Sequence, residues 1–247
     1  ANRFSTEWAP GPATRMKEYI RMVRAVWHSF KTGETPNYVG KHYHFTLMTP
    51  NFNPGPIEYA DPKIALACVG DAMARVAGEV ADGFLVHPLN TRRSLQELTV
   101  PAIARGAARA GRSPADVELT CVTIVVTGRD EAELERSREA VRAQLAFYGT
   151  TPAYRPVLDL HGRGHLHGQL KTRAERGEWG EMAELIDDEF LEEVAIVGEP
   201  DVIAPALRRR LGGISDHVSL VNNRAPDPRH FVEVVTALNP RLRRDPG

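Results

Sequence analysis

The chain has 247 residues, of which 42% are hydrophobic and 26% are charged. This length is enough for one large α/β domain or two small ones, and the apolar content excludes an intrinsically disordered chain. The 31 basic and 32 acidic side chains give a formal net charge of -1. A nearly neutral chain has no electrostatic footprint for nucleic acid or for an anionic membrane, so neither is expected as a partner.

The two cysteines, Cys68 and Cys121, lie in apolar runs and form no CxxC pair. Such spacing is typical of free thiols in a reducing compartment. No apolar run approaches the roughly 20 residues that cross a bilayer, and no signal peptide is visible. The sequence therefore predicts a cytoplasmic protein without a membrane partner.

The amino-terminal part predicts a helix and a small hairpin. Thr14 to Phe30 has the spacing of an amphipathic helix. Its predicted buried face consists of Met16, Tyr19, Ile20, Val23, Val26, Trp27 and Phe30. Residues 38–47 alternate between two faces around a turn at Gly40 and Lys41, which predicts a hairpin insertion. A loop rich in proline follows over residues 50–62.

From Lys63 onward, short apolar runs alternate with helical patterns. Three strands are predicted at 64–69, 84–87 and 117–126. The helices that follow them are predicted at 72–81, 94–110 and 131–147. Alternation of this length is typical of parallel strands joined by right-handed crossovers.

This alternation of strands and helices ends at residues 148–168, a long segment that is predicted to be a loop. The remaining elements are predicted as a helix at 179–193, a short apolar run at 194–197, a helix at 200–211, a strand at 217–221 and a helix at 231–238. The pattern fits an open doubly wound sheet or a (β/α)8 barrel, and only four good strands are visible. Residues 1–247 are interpreted as one domain, with 148–193 as a long insertion.

The first candidate site is the turn from strand to helix at Ala67, Cys68, Val69, Gly70, Asp71, Ala72 and Met73. Free N–H groups at a helix start favour phosphate or carboxylate, and Gly70 permits a close backbone approach. The alternative is a purely structural turn in which Asp71 caps the helix. A carboxylate at Asp71 also argues against phosphate, unless the side chain turns away.

The second candidate is His87, at the carboxyl end of a predicted strand. Barrel enzymes build their active sites at that end, so His87 is predicted to be catalytic as an acid, a base or a hydrogen-bond donor. The alternative is a half-buried histidine that supports the turn. A third candidate is the aromatic segment after the helix at 131–147, whose predicted substrate-pocket residues are Tyr148, Thr151, Tyr154 and Arg155.

Histidines elsewhere raise the question of a metal site. His42 and His44 share one strand face, and His161, His165 and His167 follow Asp159. Zinc sites use comparable spacing, but no third ligand is evident, so no metal site is predicted. The chain also contains no GxGxxG, P-loop, GxSxG or HExxH motif, which argues against the corresponding nucleotide, hydrolase and protease functions.

Several passages taken in order resemble the luciferase-like monooxygenase superfamily, and in particular its branch that uses the deazaflavin coenzyme F420. The most specific passages are residues 67–87 (ACVGDAMARVAGEVADGFLVH) and 147–162 (FYGTTPAYRPVLDLHG). Residues 16–27, 43–56, 186–200 and 216–220 agree with the same family. The resemblance therefore covers nearly the whole chain.

This resemblance implies a (β/α)8 TIM barrel that binds F420 at the carboxyl face, with the phosphate near Val69, Gly70 and Met73. The implied function is hydride transfer between F420 and a small organic substrate, and a homodimer is expected for the full-length form. FMN-dependent monooxygenation by the same family and a non-catalytic, truncated subunit are alternatives. The resemblance starts after the fourth barrel strand, so we expect a partial barrel that alone binds the coenzyme weakly or not at all.

Overall fold

The computed structural model describes residues 11–221 and 229–238, which fall into two compact units. The first unit comprises Ala1–Leu66, Asp71–Phe84 and Pro101–Val117 within the described part. The second unit comprises Ala67–Gly70, Leu85–Val100 and Glu118–Gly247, again within the described part. Each unit is a separate cluster of contacts.

The first unit begins with helix α1 (Pro12–Thr32), which ends at Gly33 in a left-handed conformation. Strands β1 (Tyr38–Val39) and β2 (His44–Phe45) then form the predicted hairpin in antiparallel pairing. The buried carboxylate of Glu18 accepts hydrogen bonds from the backbone N–H groups of Lys41 and His42. These bonds, with that from His42 first, lower the pKa of Glu18. The hairpin is thereby anchored to α1.

The predicted buried face of α1 is only partly covered. Of its seven residues Ile20 alone is fully buried, whereas the side chain of Tyr19 is 46% exposed. Among the described elements, helix α2 and strand β2 pack against α1. Five further residues of the predicted face are partly buried, so the face is covered only in part.

Helices α2 (Asp71–Val80) and α4 (Val100–Arg109) cross closely in the first unit. A Cβ atom at Gly78 would lie 2.1 Å from the carbonyl oxygen of Ile103, and one at Gly106 would lie 2.0 Å from that of Arg75. Only glycine permits such an approach of two backbones. This crossing fixes the position of α2 and hence of the charged residues at its start.

The five strands of the main sheet belong largely to the second unit. They are β3 (Ala65–Cys68), β4 (Gly83–Val86), β5 (Glu118–Val126), β6 (Ile196–Val197) and β7 (His217–Val221). Their order is β3-β4-β5-β6, and β7 also pairs with β5. The first five paired residues of β5, 120–124, lie beside β7, and the next two lie beside β6, in parallel pairing throughout.

The predicted fold class is confirmed, because the chain has an α/β fold with a parallel sheet. The described sheet has one strand more than the four that were predicted. Residues Ile196 and Val197, recognised only as an apolar run, pair with Val125 and Val126 of β5. A strand of two residues is too short to show alternation, which explains why the sequence did not reveal it.

The helices of the second unit continue the predicted pattern. Thr91 caps helix α3 (Arg92–Ser94), which leads through a π-helical turn at Leu95–Thr99 into α4. Pro101 has no N–H to continue the α-helical ladder, so a widened turn before it is expected. Helices α5 (Glu131–Gly149), α10 (Pro200–Leu211) and α11 (Arg229–Leu238) agree closely with their predictions. Of the described helices, none has the length and hydropathy of a membrane span.

The segment 148–168 is helical, so the prediction of a long loop was wrong. It contains a 3-10 turn at Pro152–Tyr154, helix α6 (Arg155–Leu160) and the start of α7 (His165–Arg176). The predicted helix at 179–193 is divided into α8 (Trp179–Met182) and α9 (Asp188–Val194). These helices and α5 pack on one apolar core, whose largest members are Leu145, Leu158, Leu170, Met182, Phe190 and Leu191.

Candidate active site

The predicted phosphate turn follows β3 and contains Gly70. The φ angle of Gly70 is 91°, a conformation that residues with a side chain rarely adopt. A Cβ atom at Gly70 would meet no heavy atom of the described chain within 4 Å. The turn is therefore fixed in its conformation and open above its backbone, which a closely approaching ligand requires.

Asp71 is the first residue of α2, and its carboxylate is paired with two guanidinium groups. The nearest nitrogen of Arg105 lies 2.5 Å away and that of Arg75 lies 3.0 Å away. One acidic and two basic side chains leave one positive charge in excess. We call these three residues the charged cluster. The repulsion of phosphate by Asp71 that the sequence suggested is thus offset by its neighbours.

The other residues of the predicted segment supply backbone and apolar surface. Ala67 and Ala72 are exposed, whereas Cys68, Val69 and Met73 are partly buried. Burial raises the pKa of the Cys68 thiol to about 12. A thiol of such a pKa stays protonated at neutral pH and is a poor nucleophile.

His87 follows β4 directly, and both of its ring nitrogens have partners. The N–H of Leu89 donates to Nδ1 at 3.1 Å, and Nε2 lies 3.0 Å from the hydroxyl oxygen of Tyr154. Burial lowers the pKa of His87 to about 4, so the imidazole is neutral at pH 7. This histidine is therefore a neutral hydrogen-bonding group rather than a cation.

Two tyrosines of the predicted pocket pack against His87. The ring of Tyr154 stacks on the imidazole with centroids 4.3 Å apart, and Tyr148 meets it edge-on at 4.7 Å. The two tyrosine rings lie 5.8 Å apart. All three side chains are partly buried. We call His87, Tyr148 and Tyr154 the aromatic cluster.

The other two predicted pocket residues do not join this cluster through their side chains. The N–H of Thr151 donates to the carbonyl oxygen of Tyr148 at 2.9 Å, which closes the turn after α5. The guanidinium of Arg155 is 58% exposed and pairs with Asp159 at 3.4 Å, one helical turn further along. The structure thus brings together two of the four predicted residues with His87.

Two amides that the sequence analysis missed support the aromatic cluster. Asn90 Nδ2 donates to the carbonyl oxygens of His87 and Val122, at 2.8 and 2.9 Å. Gln144 Nε2 donates to the hydroxyl oxygen of Tyr148 at 2.7 Å. Gln144 lies one helical turn before Tyr148, so the sequence alone could have predicted that contact. The contact of Asn90 with Val122 joins residues far apart in the sequence, so no local pattern could have predicted it.

The histidines considered for a metal site are held apart in different hydrogen bonds. His44 contacts the carbonyl oxygen of Gly40, and His167 contacts that of Gly149, each at 2.7 Å. His161 Nε2 lies 2.9 Å from the hydroxyl of Thr91. Across residues 11–221 and 229–238, no three His, Cys, Asp or Glu side chains are grouped to hold a metal ion.

A groove of about 560 Å³ in the second unit is lined by four arginines, namely Arg92, Arg138, Arg209 and Arg210. Arg92 donates to the carbonyl oxygen of Arg210 at 2.7 Å, at the end of α10. Arg210 donates to those of Glu192 and Val194, at 2.6 and 2.7 Å, at the end of α9. Two of these arginines therefore satisfy helix ends, which is a structural role.

Comparison with known proteins gives consistent relatives. A sequence model described as luciferase-like monooxygenase matches residues 3–214. An uncharacterized protein of Mycobacterium tuberculosis is 47% identical over 216 residues, which are 87% of this chain and 63% of that protein. A 5,10-methylenetetrahydromethanopterin reductase of Methanopyrus kandleri is 28% identical over 228 residues, which are 91% of this chain and 61% of the reductase.

Solved structures show the same relationship. A coenzyme F420-dependent tetrahydromethanopterin reductase of Methanopyrus kandleri superposes with a TM-score of 0.70 at 25% identity, over 94% of this chain and 64% of the reductase. An EDTA monooxygenase of Chelativorans sp. BNC1 superposes with a TM-score of 0.63 at 18% identity, over 98% of this chain and 63% of that enzyme. The latter likeness concerns the fold alone. The chain spans about three fifths of the length of these relatives.

Proposed function

Because the chain belongs to the luciferase-like monooxygenase family, we propose that it is part of an oxidoreductase that transfers a hydride between coenzyme F420 and a small organic molecule. One observation carries the choice of coenzyme. The F420-dependent reductase of Methanopyrus kandleri matches this chain over 94% of its length, with a TM-score of 0.70. The proposal includes a homodimer for the full-length form.

The turn around Gly70 fits the phosphate of such a coenzyme. Its backbone is open, and the charged cluster carries one positive charge in excess next to a helix start. We assign the segment from Ala67 to Met73 to coenzyme binding, with backbone N–H groups as donors. Asp71 acts there by holding Arg75 and Arg105 in place.

The aromatic cluster provides a neutral and partly dehydrated surface for a reaction. When bound, the coenzyme supplies or accepts a hydride at its deazaflavin ring. His87 is neutral at pH 7, because burial lowers its pKa to about 4, and the two tyrosine rings packed on it exclude water. A surface of this kind favours hydride exchange over hydration of the reacting groups.

A binding titration tests the proposal on the full-length protein, meaning the longest reading frame that contains this chain. We expect F420 to bind, with a change in its visible absorbance on reduction in the presence of substrate. Gly70→Ala should weaken binding about tenfold, because its Cβ fills the open side of the turn. Gly55→Ala is the matched control, since Gly55 has a φ of 79° and equally open surroundings. Absence of F420 binding in the wild-type protein would contradict the proposal.

The isolated chain of 247 residues should bind F420 weakly or not at all. The relatives from Mycobacterium tuberculosis and Methanopyrus kandleri are longer, since the matched residues are 63% and 61% of them. The measurement is the same titration with this chain alone. Micromolar affinity would show that these residues suffice for the coenzyme site.

FMN is the alternative coenzyme, and the fold shared with a monooxygenase supports it. The turn at Gly70 suits the phosphate of FMN as well as that of F420. The two coenzymes differ in colour and fluorescence, so the purified full-length protein distinguishes them. A yellow preparation with flavin fluorescence would favour FMN and monooxygenation over the F420 proposal.

A further inference from the structure

The groove of the second unit that four arginines line carries more positive charge than its neighbours balance. We call it the arginine groove, and its charged lining residues are Arg92, Arg138, Arg209, Arg210 and Glu192. None of them belongs to the charged cluster or to the aromatic cluster. Most of the other lining residues are apolar, namely Leu134, Ala195, Ile196, Val197 and Ala206. The volume of about 560 Å³ is typical of a site for a small molecule.

Three of the four arginines have no carboxylate at ion-pair distance within the described part of the chain. Arg92 donates to carbonyl oxygens at the end of α10, and Arg210 donates to carbonyl oxygens at the end of α9. The exposed side chain of Arg209 has no hydrogen-bond or ion-pair partner among the described residues. By contrast, both arginines of the charged cluster pair with a carboxylate.

Arg138, the fourth arginine, lies near two carboxylates without a hydrogen bond to either. Its Nη1 is 3.5 Å from Oε1 of Glu192, and its Nε is 3.7 Å from Oε2 of Glu135. Both distances exceed those of a hydrogen bond. The side chain of Arg138 is only 19% exposed, so water gives it little compensation. A cation with unused N–H groups and little water is suited to an anionic ligand.

The charges at the groove leave a positive excess of about two. Four guanidinium groups and one carboxylate, that of Glu192, line it. The carbonyl ends of α9 and α10 add about half a negative charge each. Burial lowers the pKa of Arg210, and Glu193 opposes that shift without lining the groove. Arg210 nevertheless stays protonated, as arginines in proteins do. A ligand with two negative charges would therefore balance the groove.

We propose that the arginine groove binds a phosphate monoester, with the phosphate among the guanidinium groups and the organic part on the apolar residues. Such an ester carries about 1.5 to 2 negative charges at pH 7. Arg138 and Arg209 supply N–H donors, since a planar guanidinium matches two phosphate oxygens. Arg92 and Arg210 are held by carbonyl oxygens and contribute fixed charge. This site does not depend on the coenzyme that the proposed function assigns.

The first test is a calorimetric titration of the full-length protein with phenyl phosphate at low salt. We expect a submillimolar Kd at pH 7.5. Phenyl sulfate has a similar shape and one negative charge fewer, so it should bind about tenfold more weakly. At pH 5 the phosphate takes up a proton, which should weaken phenyl phosphate about fivefold and leave phenyl sulfate unchanged. Absence of binding, or equal affinity for the two esters at pH 7.5, would overturn the proposal.

The second test locates the site with variants. Arg138→Gln and Arg209→Gln should each weaken phenyl phosphate about tenfold, because each removes one charge and its N–H donors. Arg136→Gln is the matched control, since Arg136 is exposed on α5 and does not line the groove. Glu192→Gln should have the opposite effect and tighten binding about threefold. Unchanged affinity in Arg209→Gln, or an equal loss in Arg136→Gln, would overturn the proposal.

Competition separates this site from the proposed coenzyme site. Saturating F420 should leave the Kd of phenyl phosphate unchanged, and displacement by F420 would overturn a separate site. Binding of phenyl phosphate by a protein that does not bind F420 would support the arginine groove and contradict only the proposed function. Thermal melting identifies any variant that does not fold. The test remains decisive in that case, because Arg209 is exposed and its substitution leaves the packing intact.

Discussion

The charged cluster and the aromatic cluster each begin within three residues of the end of a strand of the sheet, but they differ in the charge that they carry. Asp71 lies at the surface, with half of its side chain exposed, and is paired with Arg75 and Arg105. His87 is partly buried and stays neutral, because burial lowers its pKa to about 4. Burial therefore decides which chemistry each region can support.

The difference matches the two kinds of chemistry that the proposed function requires. A phosphate needs charge and backbone donors at a wet surface, which the turn at Gly70 and the charged cluster offer. A hydride exchange is better served by neutral groups from which water is partly excluded. Substitutions that change burial or charge in one region at a time test this difference, and their expected effects range from about 4 to below about 0.5 kcal/mol.

Gly78→Ala tests the crossing that holds α2 and the charged cluster. The new methyl group would lie 2.1 Å from the carbonyl oxygen of Ile103, so the two helices must separate. We expect a loss of about 4 kcal/mol in the free energy of unfolding, measured by urea denaturation. Gly168→Ala in α7 is the control, since no described atom lies within 4 Å of its Cβ position. Equal stability of the two variants would contradict the close crossing.

Arg210→Met tests a partly buried charge of the second unit against its exposed neighbour. Removal of the guanidinium leaves the carbonyl oxygens of Glu192 and Val194 without their donor. We expect a loss of about 3 kcal/mol in urea denaturation. Arg209→Met changes the adjacent, exposed arginine and should cost less than about 0.5 kcal/mol. A similar loss in both variants would show that burial does not distinguish them.

The dependence of stability on pH tests the neutral state of His87. The pKa of His87 is about 4 in the folded chain and about 6.5 when it is unfolded. Between these values the unfolded chain binds the extra proton, so stability contributed by neutral His87 is present above pH 6.5 and lost as the pH falls to 4. With solvent screening at a partly exposed ring, the loss is about 2 kcal/mol.

His87→Gln removes this titration and is compared with the wild-type chain by urea denaturation at pH 7, 5.5 and 4. Carboxylates with lowered pKa, such as Glu18 and Asp82, also lose stability in acid. The difference between the two pH curves is therefore the contribution of His87 to the free energy of unfolding. Parallel curves would mean that folding does not lower the pKa of His87.

Asp71→Asn should have the smallest effect. Exposed ion pairs contribute about 0 to 1 kcal/mol, so we expect a change below about 0.5 kcal/mol that disappears at high salt. Asp82→Asn is the comparison, because Asp82 is only 26% exposed and also binds the N–H of Ile64. Asp82→Asn should cost about 1.5 kcal/mol. A larger effect at Asp71 would mean that the charged cluster is structural.

Local signals were enough to predict several elements to the residue. Helix α10 and strand β7 have their predicted bounds, because Pro200 marks the start of the helix and β7 is a short segment with β-branched and apolar residues at Val218, Leu220 and Val221. The segment 148–168 was predicted wrongly because its prolines and glycines were interpreted as loop residues. In the structure Pro152 and Pro156 stand in first turns, where a missing N–H costs nothing.

In the candidate site, contacts between residues far apart in the sequence could not be predicted. The place of His87 at the end of a strand was predictable, as was an aromatic segment after α5. Their contact joins residues 67 positions apart, and no periodicity encodes such a pair. The turn after β4 also directs the N–H of Leu89 toward Nδ1 of His87, and no pattern in the sequence predicts this hydrogen bond. Sequence analysis therefore identified the participants but not their hydrogen bonds.

Strand β5 pairs with β6 at the very point where the chain leaves it, since Val126 is the register partner of Val197. Residues 127–195 therefore depart from and return to neighbouring positions, about 4.8 Å apart. The length and the sequence of such a segment can change without shifting the register of the sheet. Tyr148 and Tyr154 lie in this segment, whereas His87 directly follows strand β4. Exchange of this segment between relatives would thus replace Tyr148 and Tyr154 and leave His87 unchanged.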